Sequence, residues 1–271
     1  MKVFDFNVHL PYEKYQSVNS LIEHDLNLSV NDILQGLEMH SSIINQLDGA
    51  NFLLFNTTLL TQDITPFSQK ISQILSKSSC TALIDFRRLD LITYLEKVKE
   101  ARVKAIMFNS YLQNIAETDF TEVYKACRFA EENKLIICID GSFGTSKMYS
   151  YDNLKLACYI SDLVSKVPIV IVHSGGYRIL EAMLLALEKP NVWLDTSFSL
   201  PYYIGSSLEK DFAFAYKKIG TNRILYGSDN PYENSKSAKK IHLDFFEKYS
   251  FTTSEIERMF YNNSLNLFSL S

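Results

Sequence analysis

The chain has 271 residues, 46% hydrophobic and 21% charged, which fits a folded globular protein and excludes a disordered or fibrous one. A net charge of −4, with both signs scattered and no long single-sign run, gives no electrostatic footprint for nucleic acid or an anionic membrane. No stretch approaches the roughly 20 apolar residues of a membrane span, and Asp5 and His9 interrupt the N-terminal apolar run that a signal peptide needs.

The first predicted strand, KVFDFNVH (2–9), carries Asp5, Asn7 and His9 at alternate positions, hence on one face. Polar groups on a face that should enter a core need partners there. A long polar stretch from about residue 11 to 31 follows, as expected of a loop covering an active face. NDILQGLEMHSSIINQL (31–47) then repeats apolar residues every three or four positions, the helical period. ANFLLFNT (50–57) is the second strand and FSQKISQILSK (67–77) the next helix. CTALIDFR (80–87) and LDLITYLEKVKEA (89–101) repeat the alternation, with Asp90 a candidate cap, and KAIMFNS (104–110) leads into DFTEVYKACRFAEEN (119–133), capped by Asp119.

The pattern continues. KLIICID (134–140) precedes NLKLACYISDLVSK (153–166), PIVIVHS (168–174) precedes YRILEAMLLALEK (177–189), and NVWLDTS (191–197) precedes SLEKDFAFAYKKIG (207–220). NRILYGSD (222–229) is the eighth strand and AKKIHLDFFEKY (238–249) the helix after it. SEIERMFYNNSLNLF (254–268) closes the chain behind a capping box, Ser254 to Glu257. Near-continuous apolar strands are those of a parallel sheet covered on both faces. About eight strands alternating with helices predict an α/β fold, a (β/α)8 TIM barrel formed by residues 1–271 as a single domain. No GxGxxG and no composition break favours the rival, a doubly wound open sheet.

In a barrel, chemistry collects at the carboxyl ends of the strands. Those ends read Asn7 and His9, Asn56, Arg87, Asn109, Asp140, His173, Asp195 with Ser197, and Asp229. Asn56 and Asn109 either face the site or start turns. Arg87 holds a carboxylate of a substrate or of the scaffold, and Asp195 serves the site or caps the next helix. His24, His40 and His242 read as surface residues. VHSGGYR (172–178) joins strand to helix through two glycines, either as a tight turn or as an exposed N–H cradle for an anion. GSFGTSK (141–147) lacks the Walker spacing of a phosphate loop. Tyr202 and Tyr203, in SLPYYIG (199–205), either line a pocket or pack within a loop. Cys80, Cys127, Cys138 and Cys158 show no CxxC spacing and read as buried free thiols of a reducing compartment, so a cytoplasmic protein is expected. Apolar groups on the outer helices, Phe245 and Phe246 among them, would allow a homo-oligomer.

Taken together, these segments resemble the amidohydrolase-related proteins, the amidohydrolase 2 branch of the superfamily. FDFNVH resembles the D-x-H-x-H motif of strand 1, IDFRR (84–88) the D-P-R segment after strand 3, and PIVIVHSGG (168–176) the strand 6 histidine with its glycine pair. NVWLDTS resembles strand 7, RILYGSDNPY (223–232) the strand 8 G-S-D-x-P motif, and NNSLNLF (262–268) the closing N-A-x-R-L-F helix. The resemblance implies a barrel enzyme that hydrolyses amides, lactones or related bonds, or decarboxylates small acids, with Asp229 and His173 as catalytic groups. Its usual metal ligands are two strand 1 histidines, a strand 5 histidine and the strand 8 aspartate. Here Asn7 and Asp140 replace the first and third. A divalent ion (Zn²⁺, Mn²⁺ or Mg²⁺) would be held by His9, Asp140 and Asp229, with Asn7 as a weak carbonyl ligand, and oxygen-rich sets lean away from zinc. Family members acting on activated lactones also work without a metal. Arg87, Asn109, Tyr202 and Ser197 are the expected substrate-binding residues. The expected partner is a small carboxylated or sugar-derived ester, lactone or amide. The alternatives are a metal-dependent decarboxylase of a small acid and a non-catalytic ligand-binding barrel that has lost its metal site.

Overall fold

The computed structural model describes residues 1–9, 29–39, 46–54 and 65–270. Eight parallel strands follow one another around the sheet in chain order: β1 (Phe4–His9), β2 (Gly49–Leu54), β3 (Ser78–Leu83), β4 (Ala105–Phe108), β5 (Ile136–Asp140), β6 (Ile169–Val172), β7 (Val192–Asp195) and β8 (Ile224–Leu225). Helices lie between them, as the alternating periods predict. β1 also meets the segment after β8. Phe6 N–H donates to Tyr226 O at 2.9 Å, His9 N–H to Asn230 O at 2.8 Å, and Asp229 N–H to Asn7 O at 2.9 Å. This seam closes the ring, so the expected TIM barrel is the fold.

The strands are buried on both faces, which explains their continuous apolar runs. Phe4 and Phe6 turn outward from β1 and stack on Phe268, with ring centroids 5.9 and 5.8 Å apart. Asp5, Asn7 and His9 take the opposite face. Among the described residues no helix is long and apolar enough to cross a membrane.

Several local expectations are corrected. β3 starts at Ser78 and ends at Leu83, so Asp85 and Arg87 lie on the turn after it. The final helix breaks into Thr253–Glu257, a π-helical turn Arg258–Asn262, and Asn263–Phe268. Its capping box is Thr252 with Glu255, two residues earlier than expected. Asp90 and Asp119 make no side-chain cap to their helices, because each is drawn to an arginine, Arg88 and Arg87. Phe245, Phe246 and His242 are buried, so the two rings offer no surface for a second copy. His242 packs edge-on against Tyr226, its Nδ1 2.7 Å from Ala238 O. Cys80, Cys127 and Cys138 are buried free thiols, whereas Cys158 is exposed. The expected loop at 11–31 falls mostly outside the described residues, as do His24, His40 and Asn56.

Candidate active site

The seam between β1 and β8 decides which side chains meet. His9 is the last residue of β1, and Asp229 follows β8 in the segment Tyr226–Asn230. Their backbones are paired through Asn7 and Asn230, and His9 Nε2 lies 3.3 Å from Asp229 Oδ1. The edge of Tyr232 packs on the His9 ring, centroids 4.9 Å apart. Asp229 adopts φ 63°, a left-handed conformation that costs a non-glycine residue energy and concentrates at functional sites.

His173, directly after β6, shares that conformation with φ 60°. Its N–H donates to Asp195 Oδ2 at 3.1 Å. Its Nδ1 lies 3.1 Å from the Ser197 carbonyl oxygen and 3.0 Å from Ser197 Oγ. A carbonyl oxygen only accepts, so Nδ1 carries a proton. Nε2 is thereby turned towards two carboxylates, Asp140 Oδ2 at 3.6 Å and Asp229 Oδ1 at 4.0 Å. Asp140 ends β5, and its Oδ1 accepts from Ser142 N at 2.7 Å and Ser142 Oγ at 2.6 Å. The Tyr111 hydroxyl joins this group 2.8 Å from Ser142 Oγ.

Below these groups lies a buried polar floor. Asp5 Oδ1 accepts from Asn7 N at 3.2 Å and Ser228 N at 2.8 Å. Asn7 Nδ2 donates to Ser197 Oγ at 2.7 Å, and Ser197 Oγ donates to Asp195 Oδ2. Gly227 lets the chain pass this floor. A Cβ there would lie 2.5 Å from Asp195 Oδ1 and 2.9 Å from Asn7 Cβ.

The charge states follow from the surroundings. Burial disfavours an ionised Asp229, but His173, His9 and Asn7 outweigh it and hold its pKa below the ordinary carboxylate value. Burial likewise disfavours a charged His173, but Asp229, Asp140, Asp195 and the Ser197 carbonyl outweigh it and raise its pKa. Each group thus favours the charged form of the other. Burial pushes Asp5 up to about 7 against its bonds from Ser228 and Asn7, and pushes Asp195 up as well. One atom is conspicuous: Asp229 Oδ1 is buried, and its near neighbours are the two imidazoles, His9 Nε2 at 3.3 Å and His173 Nε2 at 4.0 Å.

The structure brings His9, Asp140, His173 and Asp229 near one another. Arg87 does not join them. Its guanidinium donates to Asp119 Oδ2 at 2.8 Å and to the carbonyls of Gln113 and Asn114 at 2.8 and 2.9 Å, which is the scaffold role. Asn109 Oδ1 accepts from Leu112 N at 3.0 Å, a turn-starting bond, while its Nδ2 is buried without a partner. Tyr202 is 67% exposed and stacks on Phe198, whose ring in turn meets His173. Ser197 lies under His173 as a link to Asp195, behind the ring rather than in front of it. Sequence reasoning missed Tyr111, Ser142, Phe198 and Tyr232. Ser142 directly follows Asp140-Gly141, and that proximity was the available signal.

A catalytic divalent cation needs about three protein donors around one point. His9 Nε2 and Asp229 Oδ1 face each other at suitable spacing. Asp140 gives Oδ1 to Ser142, and Asn7 gives its amide nitrogen to Ser197 while its Oδ1 is buried without a partner. Among the described residues no group of three or more His, Cys, Asp and Glu side chains is arranged to hold a metal ion. The expected four-residue metal set is not assembled by them.

Comparison with known proteins agrees with this architecture. The family model described as Amidohydrolase matches residues 91–270. An uncharacterised TIM-barrel protein from Bordetella bronchiseptica superposes with a TM-score of 0.74 at 13% identity, covering 99% of both chains. A dihydroxybenzoic acid decarboxylase from a Polaromonas species, with bound manganese and the inhibitor 2-nitroresorcinol, gives 0.65 at 14% identity over 99% of this chain and 97% of that one. A Pseudomonas putida protein provisionally assigned as a 2-pyrone-4,6-dicarboxylic acid hydrolase gives 0.61 at 14% identity over 99% and 97%. At such identities the likeness is one of fold. No curated protein sequence matches the chain significantly.

Proposed function

Since this chain belongs to the amidohydrolase family, we propose that it is an enzyme hydrolysing a small activated ester or lactone, carboxylated or sugar-derived. Asp229 is the general base and His173 steadies the oxyanion. The observation that carries this reading is the buried Asp229 Oδ1 set between His9 Nε2 at 3.3 Å and His173 Nε2 at 4.0 Å.

The substrate carbonyl oxygen accepts from protonated His173 Nε2. Water between Asp229 Oδ1 and the carbonyl carbon gives its proton to Asp229 as its oxygen bonds to carbon. The carbonyl oxygen of the tetrahedral intermediate then carries the negative charge, which the imidazolium stabilises. The intermediate collapses, the C–O bond to the leaving group breaks, and Asp229 returns its proton to the departing oxygen. A carboxylate held below its ordinary pKa is a weak base, so the acyl group must be activated, as in a lactone ester. His9 orients Asp229. The Polaromonas enzyme holds manganese. Among the described residues no group of three or more His, Cys, Asp and Glu is arranged to hold a metal ion, and no step here runs through a cation.

A second reading is decarboxylation of a small acid. The carboxylates around His173, which favour its protonated form, are in line with it, because a carbanion left by CO2 needs a proton. The decarboxylase among the structural neighbours is in line with it.

Asp229→Asn, assayed on a panel of lactones and aryl carboxylic acids, tests both readings. Turnover should fall about 10²- to 10⁴-fold, the usual contribution of general acid–base catalysis, with the far-UV spectrum unchanged. Unchanged hydrolysis in the variant overturns the role of Asp229. Release of CO2 in place of a ring-opened acid replaces the first reading with the second.

A further inference from the structure

A second cavity, of about 600 Å³, opens at the opposite end of the barrel from the site above. It lies where β3 and β5 begin and where the helices Leu91–Glu100 and Phe120–Glu132 end. That volume is within the range of small-molecule sites, roughly 300 to 1,000 Å³. Lys99, Arg102, Lys104 and Lys134 line it, and no Asp or Glu does, in a chain whose net charge is −4. Lys99 is held by Asn133 at 2.7 Å and lies 3.5 Å from Glu96. Arg102, Lys104 and Lys134 have no ion-pair partner among the described residues.

Cations at helix C-termini have an ordinary explanation, since each helix end carries about half a negative charge. Two helix ends meet this cavity, and four full positive charges exceed them severalfold. A second observation is independent of charge. Ser79 is 3% exposed, lines the cavity, and its Oγ has no hydrogen-bond partner. A buried hydroxyl without a partner costs energy unless a ligand or water satisfies it. Apolar side chains, Ile71, Leu135 and Phe268 among them, also line the cavity.

We propose that this cavity binds a small organic phosphate bearing two or more negative charges. The phosphate groups meet Arg102, Lys104 and Lys134 at the rim, and Ser79 Oγ donates to the ligand within. Arginine forks and lysine point charges are the usual partners of phosphate oxygens. The assignment is independent of the hydrolase reading, because the site shares no residue with Asp229 or its neighbours.

Calorimetric titration of the full chain with inorganic pyrophosphate tests it. Saturable one-to-one binding is expected, weakened at least about tenfold in Lys104→Glu/Lys134→Glu and more modestly in Ser79→Ala. Lys166→Glu, a neutral control on a neighbouring turn outside the cavity, should bind as the wild type does. Absence of saturable binding to the wild type overturns the proposal. So does equal weakening by Lys166→Glu, which would mean a diffuse response to charge. Lys104→Gln alone gives the same readout if the double variant does not fold.

Discussion

Gly227 shows how little room the candidate site has. Any side chain there meets Asp195 Oδ1 and the Cβ atoms of Asn7 and Ser197. Gly227→Ala should destabilise the protein by about 1–3 kcal/mol, the usual cost of overpacking, and lower turnover because the floor under His173 shifts. Denaturant unfolding with a parallel assay would show both effects. Asp5 gives a pH prediction of definite sign. Its folded-state pKa is about 7 and its reference value 3.8, so the folded protein keeps a proton that the unfolded chain releases. Its contribution is fully present below pH 3.8 and is lost as pH rises towards 7. Asp5→Asn removes this dependence. The stability of the variant relative to the wild type should rise between pH 4 and 7 by up to about 4 kcal/mol, measured by urea unfolding across that range. A flat difference would mean that Asp5 stays ionised.

At the scale of elements, the side chains that fasten one segment to another are partly hidden from sequence. Arg87 was a candidate for substrate and fastens the turn after β3 to the segment Gln113–Asp119. Arg87→Ala should cost about 1 kcal/mol of stability, given its partial exposure, and leave KM unchanged; a raised KM would return the residue to the site. Asn263, in the closing motif NNSLNLF, donates from Nδ2 to Thr221 O at 2.7 Å and Ile224 O at 2.6 Å, fastening the last helix to the start of β8. Asn263→Ala strands two buried carbonyls and should cost about 2–3 kcal/mol in thermal or urea unfolding. Strand and helix order was readable from periodicity alone, because burial on two faces or on one stripe writes itself into local composition. The ends were less readable. Ser254 and Thr252 both precede an acidic residue by three positions, and only the entry angle of the chain selects Thr252. Asp90 and Asp119 look like caps until their arginines are located in space.

For the molecule as a whole, the seam between β1 and β8 carries the most meaning. It joins residues more than two hundred positions apart and brings His9 to Asp229. If the ring is closed in solution, the amides of Phe6, His9 and Asp229 should exchange with solvent only as slowly as those of β4 and β5, through global unfolding. Faster exchange at those three positions would reveal an open seam. The alternation of strands and helices, the polar strand ends and the family motifs all stand in the linear chain, since each depends on neighbours a few residues away. The sequence alone therefore carried the barrel and named the four ionisable side chains, His9, Asp140, His173 and Asp229, that lie near one another at its mouth. Only the tertiary structure decided which of them face one another and which are already engaged, as Arg87 is by Asp119 and Ser197 by Asp195. Those outcomes are competitions for partners between distant segments, settled by ring closure and by the left-handed turns at His173 and Asp229.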